Sequence, residues 1–99
     1  MVVYAVENHV RDESGFYDVT LISDYKLFSS FYTALEYARV LAQNAARVEE
    51  NMGRKTFVHE SREEYARRVI ITVDSEDDQR RLNRIAEIHV VEIPVKEGG

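Results

Sequence analysis

SSFYTALEYARVLAQNAARVEENMG, residues 29–53, is the stretch that decides the architecture of this 99-residue chain. Phe31, Leu35, Ala38, Ala42 and Ala45 recur at steps of three and four, with Phe28, Leu41, Val48 and Met52 widening the stripe, which is the period of an amphipathic helix. Ser29 or Ser30 supplies an oxygen to cap the free N–H groups of the first turn, and Gly53 suits the left-handed residue that ends many helices. The pattern predicts a helix over 30–52. Some 22 residues at 1.5 Å each give roughly 33 Å, longer than a short strand. The end around Ala46, Glu49, Glu50 and Asn51 is therefore expected to project past whatever the helix covers.

What it covers precedes it. Residues 2–10, VVYAVENHV, and 16–22, FYDVTLI, are β-branched and aromatic runs separated by RDESG, in which Gly15 is free to take a positive φ. A hairpin over 2–22 is predicted. Alternation puts Val2, Tyr4, Val6 and Val10 on one face of the first strand and Val3, Ala5, Glu7, His9 and Arg11 on the other. After Gly53 the pattern weakens: RKTFVHE suits a short edge strand, and SREEYARR suits either a capped helical turn or the turn of a second hairpin. A strand is predicted at about 66–73 around the apolar run VIITV. A short helix follows at about 76–86, with Leu82, Ile85 and Ala86 apolar and Ser75 with Asp78 as its capping pair. IHVVEI, 88–93, closes the chain as a strand, and 96–99 are a tail.

The sum is one α+β domain, a two-layer ββαβαβ sandwich. Its mixed sheet of four or five strands carries one long and one short helix on one face, the strand-helix-strand unit favouring a parallel pair. A chain of this length buries roughly two thirds of its unfolded surface. With 44% apolar and 31% charged residues it has the composition of a globular domain. The absence of cysteine removes disulfides, thiolate chemistry and the usual zinc sites. MVVYAVENHV lacks the features of a secretion signal, and no run approaches the roughly 20 apolar residues of a membrane span, so a cytoplasmic address with no membrane contact is expected.

The net charge of −5 argues against a general nucleic-acid binder. Ten of the thirteen basic residues are arginine, and most lie in the carboxyl half. A patch of Arg62, Arg67, Arg68, Arg80, Arg81 and Arg84 therefore remains a route to nucleic acid. The acids Asp74, Glu76, Asp77 and Asp78 lack the glycine and spacing of a calcium loop and suit a helix start instead. No serine stands in a nucleophile elbow, and no glycine-rich phosphate loop exists. His9, His59 and His89 are far apart in sequence, so a joint site would require neighbouring strands. Glu7 faces the same way as His9 and fits an acid-base pair with it. No catalytic residue, metal or cofactor is expected.

Tyrosine is the unusual component, with six copies. Tyrosine and arginine bring large contact area with a polar handle to interfaces. Tyr17, Tyr25, Glu49, Glu50, Arg80, Arg81 and Arg84 are the candidate partner-binding residues, and Glu7, His9 and Arg11 a candidate polar cluster. The hairpin and capped helix of residues 2–52 resemble in layout small accessory proteins of bacterial viruses, including inhibitors of host defence. Acidic charge, exposed aromatics, one projecting helix and no catalytic constellation point to a small acidic regulatory protein that occupies a surface of another protein without turnover, and Val3, Ala5 and Ile22 on the far sheet face make a homodimer one of its expected forms. The competing expectation is a ligand-binding protein or enzyme whose site forms at a dimer interface from Glu7, His9, Arg11 and an arginine such as Arg80 or Arg84.

Overall fold

The helix forms where its sequence places it. The computed structural model of the protein describes residues 1–11, 20–65 and 67–96, and α1 runs Phe31–Asn51. Ser30 is its N-cap, accepting from the Thr33 N–H at 3.5 Å, and Gly53, at φ +82°, follows the C-cap Met52. Ala34, Leu35, Ala38, Ala42 and Ala46 are the buried residues of α1. Four of these are alanines at steps of four, so the helix backbone lies close against the sheet. The predicted stripe is thus rotated slightly, with Ala34 and Ala46 innermost and Phe31 and Ala45 half-buried.

The remaining elements are all strands: β1 (Val2–Arg11), β2 (Thr20–Phe28), β3 (Thr56–Glu63), β4 (Arg68–Glu76) and β5 (Leu82–Pro94). They form one sheet in the order β2-β1-β5-β4-β3, antiparallel at every pairing. The α+β class stands as read; β1 pairs antiparallel with the next strand, but that strand runs through Thr20–Phe28 rather than the expected 16–22, up to the start of the helix. Of the predicted turn RDESG, Arg11 is the last residue of β1, and residues 12–15, Gly15 among them, lie outside the described residues.

Three expectations are corrected. Among the described residues the order is ββαβββ with one helix, the parallel pair does not form, and residues 76–86 are not helical. The last error has a local cause. Val73 pairs with Ala86 but Asp74 pairs with Arg84, so Ile85 is an extra residue in β5. At such a bulge two residues oppose one, and Ile85 and Ala86 both pack against the core. Leu82, Ile85 and Ala86 thereby acquire the spacing of a helical stripe inside a strand. The acids before them belong to the β4–β5 turn, where the Asp77 carboxylate accepts from the N–H groups of Gln79 and Arg81, each at 2.9 Å, and from the Asn83 amide at 3.2 Å. Those hydrogen bonds, the one from Arg81 foremost, lower the Asp77 pKa. Arg80 takes a left-handed φ of 61° there.

The core is a single layer between α1 and one sheet face, built from Val6, Val69, Ile71, Val73, Ile88 and Val90 against the helix alanines and Leu35. Tyr4 meets Phe31 edge-on at 5.6 Å and Phe28 meets Tyr37 at 5.3 Å, closing the end near the start of α1. The far end of α1 does not project. Ala46 is buried, Glu49 binds Arg54 at 2.6 Å, and Glu50 accepts from the Thr56 hydroxyl at 2.7 Å, which ties the helix to the start of β3. Among the described residues no helix is long and apolar enough to cross a membrane.

Candidate functional site

With α1 on one face, no second layer among the described residues covers the other face of the sheet. Its centre is built by two copies of one short pattern, Glu7-Asn8-His9 on β1 and Glu87-Ile88-His89 on β5. The antiparallel register sets Glu7 opposite His89 and His9 opposite Glu87. Side chains two apart on a strand share a face, so all four project together, related by a local two-fold axis. Directly opposed residues have Cβ atoms about 5 Å apart, and diagonal neighbours about 7–8 Å. One diagonal closes further: the His9 and His89 rings stack at 3.8 Å with 17° between their planes.

Each histidine bonds the glutamate of its own strand, His9 Nε2 to Glu7 Oε1 at 3.0 Å and His89 Nε2 to Glu87 Oε2 at 2.9 Å. Arg68, on β4, brings Nη1 to 2.7 Å from His89 Nδ1. A guanidinium cannot accept a hydrogen bond. His89 Nδ1 therefore carries the lone pair, and Nε2 carries the proton donated to Glu87. Burial pushes the His89 pKa down and the charges of His9 and Arg68 add to this, against the opposing pull of Glu87. The ring is neutral at pH 7. Burial by itself would raise the Glu87 carboxyl, but the His89 hydrogen bond and the charges around it hold it below the ordinary range. Arg84 adds to this, donating to Glu87 through its Nη1 at 2.9 Å. Arg84 Nε also donates to Asp74 at 2.7 Å, which extends the network to β4.

The cluster is drier than an open sheet face suggests. Side-chain exposures are 12% for His9, 13% for Glu7 and 8% for His89. Apolar neighbours surround it. The register places Val3, Ala5, Val91 and Ile93 on the same face, with Tyr25 opposite Glu7, Leu27 opposite Ala5 and Phe57 opposite Asp74. Ala5 is fully buried, whereas Tyr25, Leu27 and Phe57 are 50%, 55% and 42% exposed.

The structure brings together Glu7, His9 and Arg84 from the sequence candidates, and Tyr25 joins them at the rim. It separates the others. Arg80 and Arg81 lie exposed at the β4–β5 turn, and Glu49 and Glu50 are engaged at the far end of α1. Arg11 ends β1 beside Thr20, and Tyr17 lies outside the described residues. Sequence reasoning named His89 only as part of a joint histidine site that would require neighbouring strands, and missed Glu87 and Arg68 as members. The repeated Glu-x-His was the available signal, but a predicted helix over 76–86 hid the register that pairs the two copies.

Elsewhere, a groove of about 410 Å³ near the start of α1 is lined by Tyr4, Phe31, Arg62, Arg67, Val69 and Glu92 among others. Its arginines are engaged: Arg62 stacks over Phe31 at 5.1 Å, and Arg67 pairs with Glu92 at 3.5 Å. The geometry singles out the uncovered sheet face. No protein-family model, no curated protein and no solved structure matches the chain.

Proposed function

We propose that this chain is a non-enzymatic protein-binding module whose working surface is the uncovered face of the sheet, and that the occupant of that face is a second copy of the chain. One observation carries the reading. Large apolar side chains, Tyr25, Leu27 and Phe57, stand half-exposed around a centre whose charged groups are already paired within the chain. Such a face gains from apolar burial on association and leaves few charges to desolvate unpaired. It is also compatible with itself, since copies whose charges are internally paired do not repel strongly at contact.

The size is adequate. Five strands about 4.8 Å apart and about eight residues long offer roughly 600 Å² per copy. A face-to-face pair would bury about 1,200 Å² in total, the lower edge of stable interfaces. The product is a two-sheet sandwich about 10 Å between sheets, with both helices outside. Regulation by occupying a partner's surface, as an accessory or inhibitory protein does, requires no group beyond these.

The alternatives draw less support. Nucleic-acid binding needs free arginines on one side, yet Arg67, Arg68 and Arg84 each contact Glu92, His89 and Asp74 with Glu87, respectively. The enzyme reading keeps Glu7, His9 and Arg84 together, but the imidazoles bind carboxylates and each other rather than a nucleophile.

Sedimentation velocity of the purified chain tests the proposal. A dimer is expected at about 100 µM, which corresponds to an association free energy near or beyond −5.5 kcal/mol. Leu27→Glu should convert it to monomer, while Tyr32→Glu, on the outer side of α1 and 80% exposed, should leave the dimer intact. A monomer at that concentration, or a dimer that survives Leu27→Glu combined with Phe57→Glu, overturns the proposal.

A further inference from the structure

We propose that Glu7, His9 and His89 form a binding site for a divalent transition-metal ion, of which Zn²⁺ is the natural probe. One oxygen of Glu7, one ring nitrogen of His9 and one of His89 lie within 4.8 Å of one another. Two imidazoles and a carboxylate are a donor set that suits zinc, copper or nickel rather than calcium or magnesium. Donors around a tetrahedral ion with bonds near 2.0–2.1 Å stand about 3.3 Å apart. Glu7 Oε1 and His9 Nε2, at 3.0 Å, already have that spacing.

The remaining steps are small and specific. The ion takes the place of the proton between His9 and Glu7, so His9 moves its proton to Nδ1. One of the stacked rings must then turn so that the lone pairs point to a common centre. His89 binds through Nδ1, the nitrogen left unprotonated, while its Nε2–H stays on Glu87. A carboxylate behind a ligating histidine fixes the tautomer and raises ligand basicity, and Glu87 holds that position without a metal. Strand pairing fixes the backbones of all three ligands, so reorganisation is confined to side chains.

Arg68 is the feature that makes the proposal unusual. Its guanidinium sits 2.7 Å from the His89 nitrogen that would bind the ion, so a cation of the protein itself occupies the lone pair. Metal must displace Arg68. The arginine is therefore a competitor for the site, and its removal should strengthen binding.

The test uses untagged, chelator-treated chain titrated with Zn²⁺ by calorimetry, and with Co²⁺ followed by the visible absorption of a low-symmetry complex. One ion per chain is expected, with a Kd of about 1 µM or tighter. His9→Gln, His89→Gln and the nearly isosteric Glu7→Gln should each weaken binding at least about tenfold. His59→Gln, on β3 at the sheet edge, should not change it. Arg68→Met should tighten it several-fold, a result that a purely structural role for the network does not produce. Leu27→Glu should retain one ion per chain, which separates this proposal from self-association. Far-UV circular dichroism establishes that each variant is folded. Absence of binding at about 100 µM, binding that persists in the folded His9→Gln and His89→Gln variants, or weaker binding by Arg68→Met overturns it.

Discussion

Replacing His89 with alanine measures how much the uncovered face contributes to the fold. The side chain is 8% exposed and holds two charge-assisted hydrogen bonds, from Arg68 at 2.7 Å and to Glu87 at 2.9 Å. Bonds of that kind contribute about 1.5–3 kcal/mol each when dry. Arg68 and Glu87 are only half-buried, so water replaces part of what they lose, and the sum falls to about 2–3 kcal/mol. For a domain of this size that is a drop in Tm of about 10–20 °C. Since small domains have about 5–15 kcal/mol in hand, the variant still folds. Urea denaturation in the presence of chelator gives the number without any contribution from bound metal. Combining His89→Ala with Arg68→Met in a double-mutant cycle should return a coupling of about 1–2 kcal/mol. A loss within about 0.5 kcal/mol, or strict additivity in the cycle, would refute the network.

Acid should destabilise the protein in two windows. Because burial lowers the folded-state pKa of His89, the unfolded chain takes a proton there first. The stabilisation from neutral His89 is full above its ordinary value of 6.5 and declines as pH falls through the folded value. Urea midpoints measured from about pH 7.5 to about pH 5 should fall, with a shallower slope in His89→Gln. Glu87 and Glu60, both lowered, act in the same sense only below the ordinary glutamate value of 4.5. Gly53→Ala should cost about 1 kcal/mol through its positive φ alone, since a Cβ there meets nothing within 4 Å, and the urea midpoint reads this directly. Ser75→Ala should raise stability by about 1 kcal/mol in the same assay, because the hydroxyl is buried without a partner among the described residues.

The helix was legible because its signal is local: cap, period and stop all lie within 25 residues. Strand faces were legible for the same reason, and Tyr4 and Val6 on one side of β1, Ala5, Glu7 and His9 on the other, follow from alternation alone. What escaped depends on pairing. Ile85 imitates a helical stripe only because a bulge inserts it, and a bulge is defined by the partner strand. Likewise Glu7 and His9 could be placed on one face from sequence, but their partners His89, Glu87 and Arg68 come from strands whose neighbours the sequence does not name. The far end of α1 was misjudged by length, because the edge strand β3 extends the surface beneath it and Thr56 reaches Glu50.

The strands that carry the two Glu-x-His pairs are the first and the last of the five in chain order, yet they are neighbours in the sheet. Roughly eighty residues separate His9 from His89 along the chain, so closing that contact carries one of the largest loop entropies the molecule has to overcome. During synthesis the hairpin of β1 and β2, α1, and the β3–β4 pair can all form before β5 emerges. The stacked imidazoles cannot. The site therefore exists only once β5 has paired with β1, and an ion or partner that recognises it selects chains in which that contact has closed.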